Sequence, residues 1–254
     1  MVEMRTVRGL FAALSFLTAI PIPERLIGRV PTSPGYMLWW WGVVGGLIGA
    51  LAAAVVWLAH LRLPWDACAA IGVVAPVILS GGLHLDGFAD TCDGAGSRAP
   101  REHALAIMKD SRTGAFGVIG IVCLLLLKFG LLASLVPSWG IAAVGSAPVA
   151  GRLAQLWVLR VYPYARVEGG MAGAFFDAAT WRHVTVTALV AAAVVLVWFR
   201  HAGVLILVTA ILLGGVGAAT IARWLGGHTG DTVGAISEIT EVGFILMSTI
   251  IAGT

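Results

Sequence analysis

Apolar residues occupy long uninterrupted blocks of this chain, and polar residues gather in the gaps between them. A helix crossing about 30 Å of hydrocarbon needs roughly 20 consecutive apolar residues. Such blocks run over 36–59, 65–83, 115–136, 139–161, 184–199 and 202–222, and a shorter one runs from 242 to the end. The block 9–22 is too short to span comfortably and closes on Pro21 and Pro23, which predicts an interfacial or re-entrant helix. The pattern predicts an all-α, polytopic transmembrane helical bundle with about six to seven spanning helices. Residues 1–254 read as a single integral membrane domain.

Composition points the same way. Of 254 residues, 59% are hydrophobic and only 11% charged, with mean hydropathy +0.95, whereas a soluble domain carries about 25% charged residues. No polar stretch is long enough to build a soluble domain. The net charge of +3 comes from dispersed basic residues, so membrane topology accounts for it and no nucleic-acid partner is expected. Cys68, Cys92 and Cys123 form no CxxC pair, and Cys68 and Cys123 lie in apolar blocks where they would simply pack. Trp39, Trp40 and Trp41 suit an aromatic belt at the membrane boundary.

Parity then assigns sides. One side receives the N-terminus to residue 35, then 84–114, 162–183 and 223–241; the other receives the short links near 60–64, 137–138 and 200–201. Arg5, Arg8, Arg25, Arg29, Arg98, Arg101, Lys109, Arg112, Arg166, Arg182 and Arg223 fall on the first side, and Arg62 and Arg200 on the second. The positive-inside rule makes the first side cytoplasmic. The acidic residues lie there too, with Asp66 as the exception. Lys128 and Arg152 fall within spans, where an ionisable residue is costly and faces the bundle interior or a partner. Arg152 is the better functional candidate, because Pro148 and the small residues around it let neighbouring helices approach.

The richest segment is 81–94, in which Asp86, Asp90 and Asp93 are spaced i, i+4, i+7. On a helix that spacing stacks three carboxylates on one face, where like charges repel. Near lipid they must be paired, protonated or bound to a cation, and a hard divalent ion such as Mg²⁺ answers that need. The bland alternative is a solvated acidic helix start. A second cluster holds Asp231, Glu238 and Glu241 after a glycine-rich turn, with Asp231 alone also explicable as an N-cap. Two carboxylate sets facing one another across a bundle is how helical metal sites are built.

Between the clusters, Lys109, Ser111 and Arg112 form a plausible phosphate cradle, against the plainer role of cationic flank to the next span. His84 and His228, each beside a cluster, suit base, acid or phosphate donor. HExxH, GxSxG and GxxxxGK[ST] are all absent, so zinc protease, serine hydrolase and nucleotide P-loop readings lack support. The active-site segments are thus 81–117 and 226–241, and the metal candidates are Asp86, Asp90, Asp93, Asp231, Glu238 and Glu241.

Taken together these residues resemble the adenosylcobinamide-GDP ribazoletransferase family, also called cobalamin synthase. Three of its hallmarks stand in order: GGLHLDGFADTCDG at 81–94, MKDSRTGAFG at 108–117 and GGHTGDTVGAISEITE at 226–241. The family more often has alanine where Cys92 stands. The resemblance implies a membrane-bound, Mg²⁺-dependent transferase of the last assembly step of vitamin B12. It would join α-ribazole or its 5′-phosphate to adenosylcobinamide-GDP, releasing GMP and forming adenosylcobalamin or its 5′-phosphate. The implied setting is the bacterial cytoplasmic (inner) membrane, with the active site facing the cytoplasm and the lipid bilayer as a further partner; a homo-oligomer is compatible with the sequence. On this reading Asp93, then His228, serves as base, while Lys109, Ser111, Arg112, His84 and Arg152 bind substrate. Two rival readings fit the residues less well. A membrane alcohol phosphatidyltransferase would share the chemistry, but its D-x2-D-G-x2-A-R pattern lacks the alanine before Arg98. A cation transporter would place acids deep in broken helices, whereas these acids read as lying at one face.

Overall fold

The computed structural model describes residues 2–28, 32–166 and 172–253; side chains 2–5 are not described. Arg5 and Arg29 of the charge assignment and the final residue of the last block therefore lie outside the side chains described. Among the described residues the secondary structure is helical and no strand forms, with one isolated bridge between Tyr164 and His228.

The first helix, α1 (Val2–Leu17), precedes two short turns, α2 (Glu24–Ile27) and α3 (Pro34–Leu38). Long apolar helices follow: α4 (Trp41–His60), then, beyond the broken pair described below, α8 (Ala115–Ser134), α9 (Pro137–Val161), α11 (Trp181–Phe199), α12 (His201–Leu225) and α13 (Gly230–Ala252). These six are long and apolar enough to cross a membrane. The broken pair is α5 (Trp65–Leu79) and α6 (Leu83–Gly96), bent by 93° at the break. Gly81 and Gly82 adopt the left-handed conformation there, with φ of 64° and 72°, which glycine tolerates without a steric penalty. The short α7 (Arg101–Ile107) and α10 (Gly173–Ala178) lie in the polar segments.

Helix α9 is the axis of the bundle and is buried along nearly all of its length. It packs against α4, α11 and α13. Its run of glycine, alanine and serine permits this, because small residues let backbones close up where lipid offers no hydrophobic drive. A methyl group added at Gly49 of α4 would collide with the Gly145 backbone of α9, and one at Gly151 would collide with Ser237 of α13.

Loop contacts sort the helix ends into two groups. At one end Arg101 donates through Nε to the Leu225 carbonyl at 2.6 Å and through Nη2 to the Ala165 carbonyl at 2.8 Å. The Ala165 amide donates to His228 at 2.9 Å and the His228 amide to Pro163 at 3.0 Å. At the other end Trp65 Nε1 donates to the Leu132 carbonyl at 3.1 Å, and the Trp139 and Phe199 rings meet at 5.2 Å. The α5–α6 pair therefore starts at one end and finishes at the other, acting as a seventh, broken crossing. The polar segments around 97–114, 162–166 and 226–229 share one end, as parity requires.

Several boundaries differ from those read off the hydropathy. The block 65–83 is not one full span: α5 ends at Leu79 after 15 residues, short of the roughly 20 a span needs, and α6 begins only at Leu83. The last span starts at Gly230 rather than 242, so the second acidic cluster lies inside it. Thr229, not Asp231, caps α13: its hydroxyl accepts from the Thr232 amide at 3.2 Å, and Thr232 returns the bond. The three tryptophans do not share one setting. Trp41 is buried between Phe16 and Phe175, Trp40 donates to the Thr6 carbonyl at 2.8 Å, and Trp39 packs edge-on against His183. Cys68 is buried as expected, whereas Cys123 is exposed on the outer face of α8.

Candidate active site

The break after α5 throws α6 across the end of the bundle onto the first turns of α13. Gly87 makes that approach possible, since a side chain there would strike the Asp231 backbone. As a result Asp86 and Asp90 of α6 come into electrostatic range of Asp231 of α13. Asp86 is exposed and Asp90 half-buried. The nearest cation is Arg166, whose Nη2 donates to Asp231 Oδ2 at 2.9 Å. Arg166 was not singled out from the sequence; it follows the apolar block by a few residues and carries no motif of its own.

Asp93, the third acid of the stripe, has a different position. It is buried, and its two oxygens accept from the backbone amides of Gly114 at 2.7 Å and Gly117 at 2.8 Å. It ties α6 to the start of α8 and satisfies a first-turn amide that has no partner within its own helix. A carboxylate so occupied acts as an anchor, and Asp93, expected to be the base, is not among the residues lining the cleft described next. Cys92, beside it, is half-buried against Gly120 of α8.

Beside the acids lies a cleft of about 200 Å³. Asp86, Asp231 and His84 form its polar side; Phe16, Leu17, Trp41, Phe175 and Phe176 form the apolar one. Behind it is a buried polar network. Arg152, 2% exposed, donates through Nη1 to His84 Nε2 at 2.7 Å, to Gln155 Oε1 at 3.0 Å and to Ser237 Oγ at 3.2 Å. A guanidinium keeps its protons, so the accepting nitrogen of His84 must carry the lone pair. Lys128 Nζ reaches Glu238 at 2.6 Å and Glu241 at 3.0 Å, and Ser237 links to Glu241 at 3.4 Å. Two cations thus face two anions, and the interior is electrically balanced.

This overturns the grouping of Glu238 and Glu241 with the surface acids. Because α13 starts at Gly230 and rises about 1.5 Å per residue, Glu238 lies roughly 10 Å deeper than Asp231. There it is ion-paired to Lys128 rather than facing Asp86 and Asp90. Arg152 likewise meets buried side chains and does not itself line the cleft, but it holds His84 and Gln155, which do. His228 is fully buried, with Nδ1 against the Thr232 hydroxyl at 3.0 Å and Nε2 donating to the Ala218 carbonyl at 3.1 Å. Burial pushes its pKa down to about 4. Both ring nitrogens are used, so His228 secures the loop between α12 and α13 and does not face the cleft.

The 108–114 segment is outermost. Lys109, Ser111 and Arg112 are exposed. Arg112 is bound to Asp110, its Nη2 at 2.6 Å and its Nε at 3.1 Å from the two carboxylate oxygens. Those hydrogen bonds draw the Asp110 pKa down to about 2 and raise that of Arg112.

Among the described residues no three His, Cys, Asp or Glu side chains close around a single point as a metal cage would. The donors at the lip are nonetheless hard carboxylate oxygens, the ligands Mg²⁺ prefers, and it needs only one or two of them besides phosphate and water.

The fold and site define a multi-pass helical membrane protein with an anionic cleft at one end of its bundle. Its sequence relationships agree with that class. A family described as Cobalamin-5-phosphate synthase matches residues 9–249. A protein of Chlorobium phaeovibrioides is 36% identical over 242 residues, covering 92% of this chain and 94% of its own length. One of Klebsiella pneumoniae is 36% identical over 247 residues, covering 94% and 98%. One of Leptothrix cholodnii is 36% identical over 247 residues, covering 92% of each. All three are named adenosylcobinamide-GDP ribazoletransferase. No solved structure matches the chain. The chain belongs to the cobalamin-5-phosphate synthase family, and is an enzyme of cobalamin synthesis.

Proposed function

We propose that the protein joins α-ribazole, or its 5′-phosphate, to adenosylcobinamide-GDP and releases GMP, with Mg²⁺ as cofactor. The observation that carries this reading is that Asp86 and Asp231, from two helices, line an aromatic cleft with Asp90 in electrostatic range of both. One or two of these carboxylates would hold the cation, with phosphate and water completing its shell. Bound there, Mg²⁺ would neutralise charge on the diphosphate and on the departing phosphate.

The remaining steps belong to the chain. A ribose hydroxyl attacks the phosphorus on the cobinamide side of the diphosphate; a P–O bond forms as the P–O bond to GMP breaks. The hydroxyl proton leaves to a carboxylate of the cluster, and Asp86 is the one that is exposed and lines the cleft. Arg166 sits where it can exchange Asp231 for a phosphate oxygen. Lys109, Ser111 and Arg112 flank the diphosphate from the outer loop, with Arg112 leaving Asp110 to do so. Catalysis on this scheme is mainly positioning and charge neutralisation, as in other phosphoryl transfers. We place the site on the cytoplasmic face of the bacterial inner membrane, following the bias of lysine and arginine to that end.

The test is direct. Protein purified in lipid is given adenosylcobinamide-GDP, ribazole phosphate and Mg²⁺, and GMP is measured. GMP that depends on both substrates and on the metal supports the reading; none in any combination refutes it.

A further inference from the structure

Arg152 fixes which hydrogen-bonding groups two of its neighbours have to spare. A guanidinium has donors and no acceptor. The Gln155 atom that Nη1 meets at 3.0 Å is therefore the amide oxygen, and the His84 nitrogen at 2.7 Å is the one without a proton. What remains is a donor in both cases: the NH₂ group of Gln155 and the Nδ1–H of His84. The other contact of that ring is Arg152 Nη2, 3.4 Å from Nδ1, and it too is a donor. Among the described residues no acceptor meets either group. Gln155 is only 2% exposed. Yet the sealed, unpartnered side-chain atoms among the described residues are Trp41 Nε1, Ser146 Oγ, Arg152 Nε, Arg166 Nε and Thr187 Oγ1, and Gln155 Nε2 is not one of them. The amide nitrogen therefore keeps some open surface, and Gln155 lines the cleft. Ser237 accepts from Arg152 at 3.2 Å and reaches Glu241 at 3.4 Å, which ties the guanidinium to the buried ion network.

We infer that Gln155 contacts substrate through its amide N–H groups, that they take a phosphate oxygen, and that Arg152 is the positioning residue that holds this polarity. The inference rests on the transferase reading above and adds a contact to it. Gln155 stands inside an apolar span and belongs to none of the three motifs, so the sequence gives no sign of it. A side chain that offers hydrogens and no lone pair suits a group with lone pairs and no hydrogen. In the two proposed substrates a phosphate oxygen meets that description, whereas a hydroxyl is served equally by a donor or an acceptor. Arg152 lies behind both donors, and hydrogen bonds in series polarise one another, so its charge strengthens them from outside the cleft. Their neutrality matters too. Asp86 and Asp231 line the same cleft, and a cation at 155 would be drawn to such carboxylates, as Arg166 is to Asp231 at 2.9 Å. An amide donates to phosphate without forming that pair.

KM separates this role from a structural one, because it does not depend on how much of the enzyme is folded. Gln155→Glu keeps an oxygen for Arg152 and deletes the N–H groups, whereas Gln155→Met deletes both. With GMP as readout, KM is measured for adenosylcobinamide-GDP, for ribazole 5′-phosphate and for unphosphorylated ribazole. Both variants should raise KM for a phosphate-bearing substrate by about tenfold or more, the scale of one hydrogen bond to a charged group, and Glu should be no better than Met. A rise for ribazole phosphate with none for ribazole identifies the 5′-phosphate as the group held; a rise for adenosylcobinamide-GDP identifies the diphosphate. Arg152→Lys, which can only donate, should stay closer to the wild-type KM than Arg152→Gln, whose amide can also accept and so lets Gln155 and His84 turn. Unchanged KM for all three substrates in Gln155→Glu overturns the contact, since Gln155 would then serve only as a partner of Arg152. A rise shared equally by ribazole and its phosphate, with none for adenosylcobinamide-GDP, overturns the choice of phosphate. Equal KM in the two Arg152 variants overturns the positioning role. Absence of GMP from the wild type in every combination is a different failure, that of the transferase reading, and the assignment falls with it.

Discussion

Lys128 is a lysine inside a transmembrane helix, and its removal has a calculable outcome. Its Nζ lies 2.6 Å from Glu238 and 3.0 Å from Glu241, and all three side chains are at most 9% exposed. Replacing Lys128 with Met keeps the volume and deletes the charge. Two buried carboxylates then share Arg152 alone, leaving one negative charge uncompensated. Removing one member of a buried pair costs about 3–5 kcal/mol, because the partner stays desolvated. For a chain of this size a change of 1 kcal/mol moves the melting temperature by roughly 2–4 °C, so the expected fall is about 6–20 °C. Fluorescence-monitored melting in a mild detergent measures it. The double variant Lys128→Met with Glu238→Gln restores one charge of each sign and should regain at least half of the loss; the two changes share partners and are not additive. A single variant melting within 2 °C of wild type would refute the reasoning, since the glutamates would then have no need of the lysine.

That network also shows what the sequence could and could not yield. Long apolar blocks follow from the thickness of hydrocarbon, so the crossings were legible, and so was the clustering of charge at one end. The Lys128–Glu238 contact joins residues 110 apart on different helices, and no local period encodes such a pair. Spacing alone also put Asp231, Glu238 and Glu241 on one face correctly while missing their depth. Hydropathy placed the start of α13 at 242 because the polar residues of 231–241 dilute the average. In the fold those residues are buried by other helices rather than by lipid, and a window over the sequence cannot tell the two apart. For the same reason the argument that all acids lie at one face fails for Glu238 and Glu241. It is their balance against Lys128 and Arg152, together with the family, that speaks for an enzyme over an ion pathway. The Asp86–Asp90–Asp93 stripe was legible as a stripe, but the departure of Asp93 depended on where the amides of Gly114 and Gly117 would lie. Arg166 entered the site through tertiary packing alone.

Four further outcomes test the site. Asp86→Asn and Asp90→Asn should each lower GMP formation by at least about a hundredfold, the scale of losing a transition-state electrostatic contact, with melting temperature unchanged; near-normal rates would remove the metal assignment. Melting temperature should fall with pH below 6.5, because the unfolded chain protonates His228 there while the buried ring resists until about pH 4. The stabilisation is fully present above pH 6.5, and His228→Gln should flatten that slope. In a background lacking Cys123, Arg62→Cys should react with an impermeant thiol reagent added outside intact cells and Ser97→Cys should not; the reverse pattern inverts the proposed orientation. The last concerns Asp93, whose two oxygens accept from two amides. In Asp93→Asn one acceptor becomes an NH₂ group facing an N–H, so a buried amide loses its partner, at about 1–3 kcal/mol. An anchor and a metal ligand then behave differently. If Asp93 ties α8 to α6, the variant melts several degrees lower, turns over more slowly, and excess Mg²⁺ restores nothing, because the geometry rather than the cation's affinity has changed. If Asp93 is a ligand, the melting temperature holds and millimolar metal recovers the rate. Recovery by metal at an unchanged melting temperature would therefore return Asp93 to the metal site and show that its hydrogen bonds to Gly114 and Gly117 give way when substrate binds.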